Sequence, residues 1–276
     1  MKKSINNKVK SPKMNIAYTV DIQGQGAIQF ANQLFNSIYS IKKTNTKNNI
    51  CVNVFYGNIT EQFIDNLNKL KSENFDIIFR HLSNDDMAFM QQFTKQNANS
   101  VARAWCGIVF TRLWLAKHLP LEDRCLYLDS DTMVRGDLSD LYSTDLNGKS
   151  YGMVMGCIPE YGYNSGVILM DLKKLRDDNK WDKLNEHLAK YARTYFLPDQ
   201  TVINRFYKDD IFELPLKYNY PPNMDRPALK DDDCSKAVIW HFYNGGTKPV
   251  QFTQADWCKV EWNNLLNEAS SIIFSK

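Results

Sequence analysis

The stretch RCLYLDSDTMVRGDLSDLY, residues 124–142, decides the fold and directs the functional interpretation. Its apolar run from Cys125 to Leu128 is typical of a strand that is buried on both faces. Asp129 and Asp131 follow at once, and residues two apart in an extended chain point to the same side. Because two converging carboxylates repel each other unless a proton or a cation lies between them, the stretch predicts a site for a hard divalent cation.

Strand and helix patterns alternate on both sides of this stretch. The predicted strands are residues 14–20, 50–56, 75–79, 125–128, 151–157, 211–214 and 237–240. The predicted helices are residues 27–41, 60–70, 106–119, 138–142, 172–195, one that opens at residue 198 with Asp199 as its N-cap, and 255–274. This alternation predicts an α/β fold with a Rossmann-like, mostly parallel central sheet flanked by helices.

The alternation of strands and helices also makes the Asp-x-Asp spacing more significant as a sign of a binding site. Alone, that spacing fits a solvated loop at a strand end, and it recurs at Asp231 and Asp233. In α/β sheets, however, ligands bind beyond the carboxyl ends of the strands, where Asp21 and Asp129 both fall. The sequence therefore favours a binding site at this edge of the sheet.

The chain is long enough for one domain with a large core, since it has 276 residues of which 43% are hydrophobic. We expect a disordered leader at residues 1–13, a single domain at residues 14–276, and a C-terminal helix within about 252–276. The formal net charge of +3 is spread along the chain and no nucleic-acid-binding motif is present, so we expect no nucleic-acid partner.

The sequence also bears on the compartment. The leader has no apolar segment of the signal-peptide kind, and no apolar run is long enough to cross a bilayer. The six cysteines have neither metal-binding nor disulfide spacing, which indicates a reducing cytoplasm. The C-terminal helix carries Trp257 and Trp262, and we expect it to dock on the body of the protein. Peripheral contact with the inner face of a membrane is the alternative.

Two further features of the sequence bear on binding chemistry. Gly24 and Gly26 fit a dinucleotide fingerprint poorly, because Gln29 stands where the third glycine belongs. Arg112 is flanked by apolar residues, and two interpretations are equally open. It is either an arginine that snorkels from the edge of the core or one that is held near an anionic ligand.

His241 differs from the other three histidines because it ends an apolar strand and precedes the Gly245-Gly246 loop. It could supply an imidazole to the same cation as Asp129 and Asp131, and a nitrogen ligand beside carboxylates favours Mn²⁺ over Mg²⁺. Backbone N–H groups of the loop, together with Lys248, suit a phosphate.

With these features in place, the chain resembles glycosyltransferase family 8, retaining enzymes that include glycogenin and bacterial lipooligosaccharide galactosyl- and glucosyltransferases. The resemblance runs from about residue 14 to about residue 250. It rests on segments in the family's order: NIAYTVD, TRLWLA, LYLDSDTMVRGDLSDLYSTDL, YNSGVILMDLKKLR, LPDQTVINRF and HFYNGGTKP. It implies a GT-A fold and transfer of glucose or galactose from a UDP-sugar to a glycan, a lipid-linked saccharide or a protein, with Mn²⁺ or Mg²⁺ as the metal.

The resemblance also implies residue roles. Gln200 would lie under the anomeric carbon and Asp199 would bind sugar hydroxyls, which makes these two the catalytic residues. The implied metal ligands are Asp129, Asp131 and His241. The residues implied to bind the donor, from the uridine to the diphosphate, are Thr19, Asp21, Arg112, Asp129, Ser130, Asp131, Asn164, Ser165, Asp199, Gln200, His241, Gly245, Gly246 and Lys248.

The chemistry agrees with these roles. Departure of a nucleoside diphosphate builds negative charge, which a divalent metal and Lys248 would stabilise. The sugar becomes oxocarbenium-like, as in glycoside hydrolysis. Since a glutamine is a poor nucleophile, Gln200 fits a dipolar stabiliser, and we expect the acceptor to attack on the face that the diphosphate leaves.

The chain departs from the family pattern in three places. The loop after His241 is about one residue longer than usual before Lys248, so the phosphate contacts there do not carry over directly. Val250 stands where the family usually has tryptophan. Residues 147–163 are short where many relatives carry a long acceptor-binding loop, so the acceptor cannot be inferred by analogy.

Two alternatives from other classes remain open to the sequence. Residues 128–132 also fit the first motif of haloacid-dehalogenase-like phosphatases, with Asp129 as the nucleophile and Asp131 as the acid/base. That motif normally ends the first strand of its core, whereas here a full α/β pattern precedes it. The second alternative is a non-catalytic sugar-nucleotide-binding protein. Retention of both aspartates of the Asp-x-Asp pair, of His241 and of Gln200 argues against it.

Overall fold

The structure is a computed structural model, and it describes residues 13–22, 27–93, 107–222, 234–243 and 257–274. Within these residues the strands are β1 (Lys13–Val20), β2 (Asn49–Tyr56), β3 (Phe75–His81), β4 (Arg124–Leu128), β5 (Thr132–Val134), β6 (Tyr151–Met155), β7 (Tyr163–Asp171), β8 (Ile211–Glu213) and β9 (Ile239–His241). The α-helices are α1 (Ala27–Thr44), α2 (Glu61–Asn68), α3 (Asn84–Gln91), α4 (Leu115–His118), α5 (Ser139–Ser143), α6 (Leu172–Asp178), α7 (Trp181–Tyr191), α8 (Pro198–Phe206) and α9 (Trp257–Phe274).

The central sheet has the strand order β3-β2-β1-β4-β7-β6-β8, and β5 and β9 form a separate antiparallel pair. Four of the neighbouring pairs in the large sheet are parallel, while β7 runs antiparallel to both β4 and β6. The predicted α/β fold with a mostly parallel sheet is confirmed. The reversal of β7 positions the site, because the start of β7 meets the carboxyl end of β4, where Leu128 pairs with Val167.

Both faces of the sheet are covered by apolar layers. Leu126 and Leu128 of β4 pack into a cluster that includes the buried face of α1. Cys125 and Tyr127 point the other way, into a cluster with residues of α4, α6, α7 and α8. The alternation explains why the run Cys125–Leu128 is continuously apolar, as expected of a strand buried on both faces.

Three predicted helical features were wrong in detail. The helix expected at 106–119 is a 3₁₀ helix (Gly107–Trp114) followed by α4, and residue 106 lies outside the described part. This segment is buried on nearly all sides, so tertiary packing overrides its helical periodicity. The helix expected at 172–195 breaks at Asn179, whose left-handed backbone (φ 46°) separates α6 from α7.

Asp199 is not the N-cap of α8. Leu197 occupies that position and Pro198 is the first helical residue, because its fixed φ suits the first turn and its missing N–H costs nothing there. Asp199 lies in the first turn instead, which directs its carboxylate toward the site described below.

The C-terminal helix docks on the body, as expected. Trp262 is buried and its ring packs edge-on against Phe242, with 5.2 Å between centroids. Glu261 accepts a 2.8 Å hydrogen bond from Nε of Arg135. Among the described residues, no helix combines the length and the apolar character needed to cross a bilayer.

The expectations for the chain ends are met only in part. Lys13 was predicted to belong to the leader but is the first residue of β1, where it pairs with Asn49. Residues 1–12 of the leader and residues 252–256 of the expected C-terminal helix lie outside the described part. The single domain at 14–276 stays a prediction.

Candidate active site

A pocket opens where β4 ends, β7 begins and α8 starts. It is lined by Arg112, Asp129, Asp131, Asn164, Ser165, Leu197, Asp199, Gln200, His241 and Tyr243. The backbone N–H of Asp129 donates to the carbonyl oxygen of Gly166 at 2.8 Å, which ties the end of β4 to β7. Thr132 pairs with His241 in the small sheet, so Asp131 lies beside that histidine. Residues from five parts of the sequence thus meet in one place.

Asp129, Asp131 and His241 form a cluster whose potential ligand atoms all lie within 4.8 Å of one another. Nε2 of His241 is 3.2 Å from Oδ1 of Asp131 and 3.7 Å from Oδ2 of Asp129. This buried nitrogen makes no hydrogen bond to any described residue. A ring nitrogen without a hydrogen-bonding partner, facing two carboxylates, fits a divalent cation that accepts nitrogen and oxygen ligands.

Arg112 is buried between two carboxylates of the pocket. Nη2 donates to Oδ1 of Asp129 at 2.9 Å, and Nη1 lies 3.1 Å from Oδ2 of Asp199. The guanidinium also stacks on the ring of Tyr127, 4.4 Å from its centroid. Burial alone would lower the pKa of Arg112, but the negative charges of Asp129 and Asp199 outweigh that effect and raise it, so the side chain stays charged. An arginine that is 5% exposed does not snorkel from the edge of the core.

Asp199 is the most enclosed carboxyl group of the site. Its side chain accepts a hydrogen bond from Oγ of Ser165 at 3.1 Å and pairs with Arg112. Burial raises the pKa of Asp199, and the nearby guanidinium opposes that rise. A carboxyl group already held by Arg112 and Ser165 suits hydrogen bonding to a polar ligand better than nucleophilic attack.

Gln200 has its carboxamide fixed at both ends. Its Oε1 accepts from the backbone N–H of Ser165 and from Nδ2 of Asn164, each at 3.3 Å. Its Nε2 donates to the carbonyl oxygen of Tyr161 at 3.1 Å. The two backbone partners define which end of the side chain is the oxygen, because an N–H cannot accept and a carbonyl cannot donate.

The other predicted donor-binding residues lie farther out. Thr19 reaches the cluster indirectly, since its Oγ1 is 3.1 Å from the Tyr127 hydroxyl, which donates to Asp129 at 2.8 Å. Asp21 accepts hydrogen bonds from Asn58 and does not line the pocket, and neither does Ser130. The predicted phosphate-binding residues Gly245, Gly246 and Lys248, like Val250, lie outside the described residues.

Sequence reasoning missed four residues of the site. Leu197 and Tyr243 line the pocket, and both lie within segments that were singled out. Tyr127 could have been found, because it is two residues before Asp129 on the same side of an extended strand. Asn219, whose Oδ1 lies 2.9 Å from Nδ1 of His241, carries no signal in the sequence, since only the fold brings these two residues together.

Comparison with known proteins identifies the family. The profile of Glycosyl transferase family 8 matches residues 25–251. The chain is 36% identical over 128 residues to the glycosyltransferase GlyF of Streptococcus pneumoniae, covering 44% of this chain and 32% of that one. It is 28% identical over 263 residues to the lipopolysaccharide 1,2-glucosyltransferase of Escherichia coli, covering 86% and 72%. The chain thus spans about a third of GlyF but most of the E. coli relative.

Solved structures share the architecture. The galactosyltransferase LgtC, in complex with donor and acceptor sugar analogs, superposes with a TM-score of 0.73 at 20% identity, covering 92% of this chain and 96% of that one. The glycosyltransferase GlyE of S. pneumoniae gives a TM-score of 0.72 at 21% identity, covering 95% and 62%. A family match over most of the chain rules out the phosphatase alternative, and the chain belongs to glycosyl transferase family 8, with a GT-A fold.

Proposed function

We propose that this glycosyltransferase is a metal-dependent, retaining enzyme that moves glucose or galactose from a UDP-sugar to a saccharide or protein acceptor. One observation carries the proposal. Asp129, Asp131 and Nε2 of His241 converge in the same pocket as Gln200. A cation site that adjoins a fixed carboxamide suits departure of a diphosphate from a sugar carbon.

The names of the relatives support the substrate class. The E. coli relative is a glucosyltransferase whose name specifies lipopolysaccharide, and LgtC is a galactosyltransferase that was solved with donor and acceptor sugar analogs. Both point to a hexose donor and to a glycan or lipid-linked saccharide as the acceptor. Free thiols at Cys51, Cys125 and Cys157 support a reducing cytoplasm as the place of action.

Asp129, Asp131 and His241 would hold the cation. Two carboxylates and one imidazole favour Mn²⁺ over Mg²⁺, although both accept such ligands. When bound, the cation supplies positive charge that stabilises the departing diphosphate. Arg112 offsets the charge of Asp129 and Asp199, so the pocket can accept an anionic donor despite its three carboxylates.

The chain's own residues would act on the sugar. Asp199 would accept hydrogen bonds from hydroxyl groups, and Oε1 of Gln200 would direct its negative dipole at the oxocarbenium-like carbon. The bond between this carbon and the phosphate oxygen breaks. The acceptor hydroxyl forms the new bond on the same face and passes its proton to the phosphate oxygen that leaves.

The first experiment measures UDP release from a panel of UDP-sugars, with Mn²⁺ and with a chelator, in the wild type and in Asp131→Ala. Many transferases hydrolyse their donor slowly without an acceptor. We expect UDP release from UDP-glucose or UDP-galactose with Mn²⁺ only, and none from the variant. Binding of a donor without turnover, even when saccharide acceptors are added, would favour the non-catalytic binding protein.

Attack by the acceptor on the face that the diphosphate leaves, without a covalent sugar–enzyme intermediate, has its own test. A 2-fluoro UDP-sugar slows breakdown of any covalent sugar–enzyme intermediate, so intact-mass spectrometry after incubation would reveal one. We expect the unmodified mass. A sugar adduct on Asp199 or Gln200 would contradict the mechanism while leaving the transferase assignment intact.

A further inference from the structure

A chain of carboxamides links His241 to Gln200 through the interior. Nδ1 of His241 lies 2.9 Å from Oδ1 of Asn219. Nδ2 of Asn219 donates to Oδ1 of Asn164 at 2.9 Å, and Nδ2 of Asn164 donates to Oε1 of Gln200 at 3.3 Å. Each of these side chains is at most 9% exposed. These hydrogen bonds therefore lie in a poorly solvated environment, where a polar group without a hydrogen-bonding partner would lower the stability of the folded protein.

A backbone N–H group fixes which end of each carboxamide donates and which end accepts a hydrogen bond. The N–H of Gly166 donates to Oδ1 of Asn164 at 3.0 Å. Because a backbone N–H can only donate, the oxygen of Asn164 must face Gly166 and, with it, Asn219. Asn219 must then present its NH₂ group to Asn164, and its own oxygen faces His241.

This orientation determines where the proton of a neutral His241 lies. The oxygen of Asn219 can only accept, so Nδ1 must carry the hydrogen. Nε2 then keeps its lone pair, and this is the atom that faces Asp129 and Asp131. The opposite tautomer would put two lone pairs against each other at 2.9 Å and would block Nε2 as a ligand.

The hydrogen bonds of Gln200, at the other end of the series of carboxamides, independently require the same orientation of Asn164. Nδ2 of Asn164 requires an acceptor, and the backbone N–H of Ser165 also points at the same atom of Gln200. The carbonyl oxygen of Tyr161 accepts from Nε2 of Gln200. Three backbone groups, on Gly166, Ser165 and Tyr161, therefore define one orientation for all three carboxamides.

We propose that Asn219 is a positioning residue that sets the His241 tautomer needed for metal binding and, through Asn164, supports the carboxamide of Gln200. The proposal rests on the proposed function, since it assigns the cluster to a metal. Outer partners that orient a metal-binding histidine typically contribute about 10–100-fold in affinity.

The tautomer is read directly in the metal-free protein. Two-dimensional ¹H–¹⁵N NMR of ¹⁵N-histidine-labelled protein at alkaline pH distinguishes a protonated from an unprotonated ring nitrogen, and His241→Gln assigns the signal. We expect hydrogen on Nδ1 of His241 in the wild type. Hydrogen on Nε2 in the wild type would overturn the proposal without any Asn219 variant having to fold.

Mn²⁺ affinity, measured by calorimetry in the absence of donor, gives the second readout. We expect Asn219→Leu to lose the tautomer preference and to bind Mn²⁺ about 10–100-fold more weakly. Asn219→Asp keeps an acceptor against Nδ1, so we expect it to keep the tautomer and Mn²⁺ affinity. It loses the donor to Asn164, and its kcat should fall with little change in the KM for donor.

Asn53→Leu is the matched control, because Asn53 is a buried carboxamide on β2 outside the pocket. We expect it to bind Mn²⁺ like the wild type. Equal Mn²⁺ affinity in Asn219→Leu and Asn53→Leu would overturn the inference about Asn219 and would leave the proposed function unaffected. A wild type that neither binds Mn²⁺ nor releases UDP from any donor would instead refute the proposed function.

Discussion

Gly166 lies against the imidazole of His241, closer than any side chain could approach. A Cβ built on Gly166 would be 1.9 Å from Cε1 of His241, well inside contact distance. Glycine in the interior of a strand often marks such a close approach. The residue that follows Asn164 and Ser165 is therefore a glycine because the imidazole of His241 occupies the space that a side chain would need.

We expect Gly166→Ala to displace the imidazole. Overpacking of this kind costs about 1–3 kcal/mol of stability, and Mn²⁺ affinity should fall by about tenfold or more. Urea denaturation and calorimetry measure the two effects. Gly136→Ala is the control, since its Cβ would meet Val238 at an ordinary 3.5 Å. If Gly166→Ala bound Mn²⁺ as tightly as the wild type, the prediction that the position of the His241 imidazole limits Mn²⁺ affinity would be wrong.

Single residues were predictable where they follow strands. Asp129 and Asp131 stood out because an apolar strand ends just before them, and His241 because a second apolar strand ends there. Spacing alone left Arg112 ambiguous. The family resemblance favoured a donor-binding role, and the fold places the residue between Asp129 and Asp199. Such contacts join residues far apart in sequence, so periodicity and spacing contain no information about them.

At the scale of elements, sequence patterns identified most strands and helices but not their directions. β7 is continuously apolar in its second half, as a parallel core strand would be, yet it runs antiparallel to both neighbours. Its direction depends on the connections that precede it, and these leave no trace in side-chain periodicity. The segment Gly107–Trp114 illustrates the same limit, because its all-round burial hides the 3₁₀ geometry.

The docking of α9 leads to a prediction at this scale. Trp262 is 3% exposed and packs against Phe242, the residue after His241. We expect Trp262→Ala to lower the free energy of unfolding by about 3–5 kcal/mol, measured by urea denaturation, because it leaves a large cavity. Val260 on the same helix is 61% exposed, and Val260→Ala should change stability by no more than about 0.5 kcal/mol. Equal effects of the two substitutions would mean that α9 contributes little to the fold.

At the scale of the whole molecule, covering both faces of the sheet leaves some titratable groups without full hydration. His118 on α4 packs against the ring of Phe55, 5.6 Å between centroids, and burial lowers its pKa despite the opposing charge of Asp86. Burial likewise lowers the pKa of His187 on α7. Folding therefore disfavours the charged forms of both histidines.

These shifts set the sign of a pH dependence. In the unfolded chain a histidine binds its proton near pH 6.5, whereas His118 and His187 in the folded protein bind theirs only at lower pH. Between those values these two histidines bind more protons in the unfolded state, so their contribution to the free energy of unfolding should rise with pH up to about 6.5 and fall on acidification. Urea denaturation from about pH 5 to 7.5, with a chelator present, measures this slope. We expect a shallower slope in His118→Gln and the shallowest in the double variant with His187→Gln, because each substitution removes one group whose protonation favours the unfolded chain. An unchanged slope in the double variant would show that neither histidine resists protonation in the folded protein.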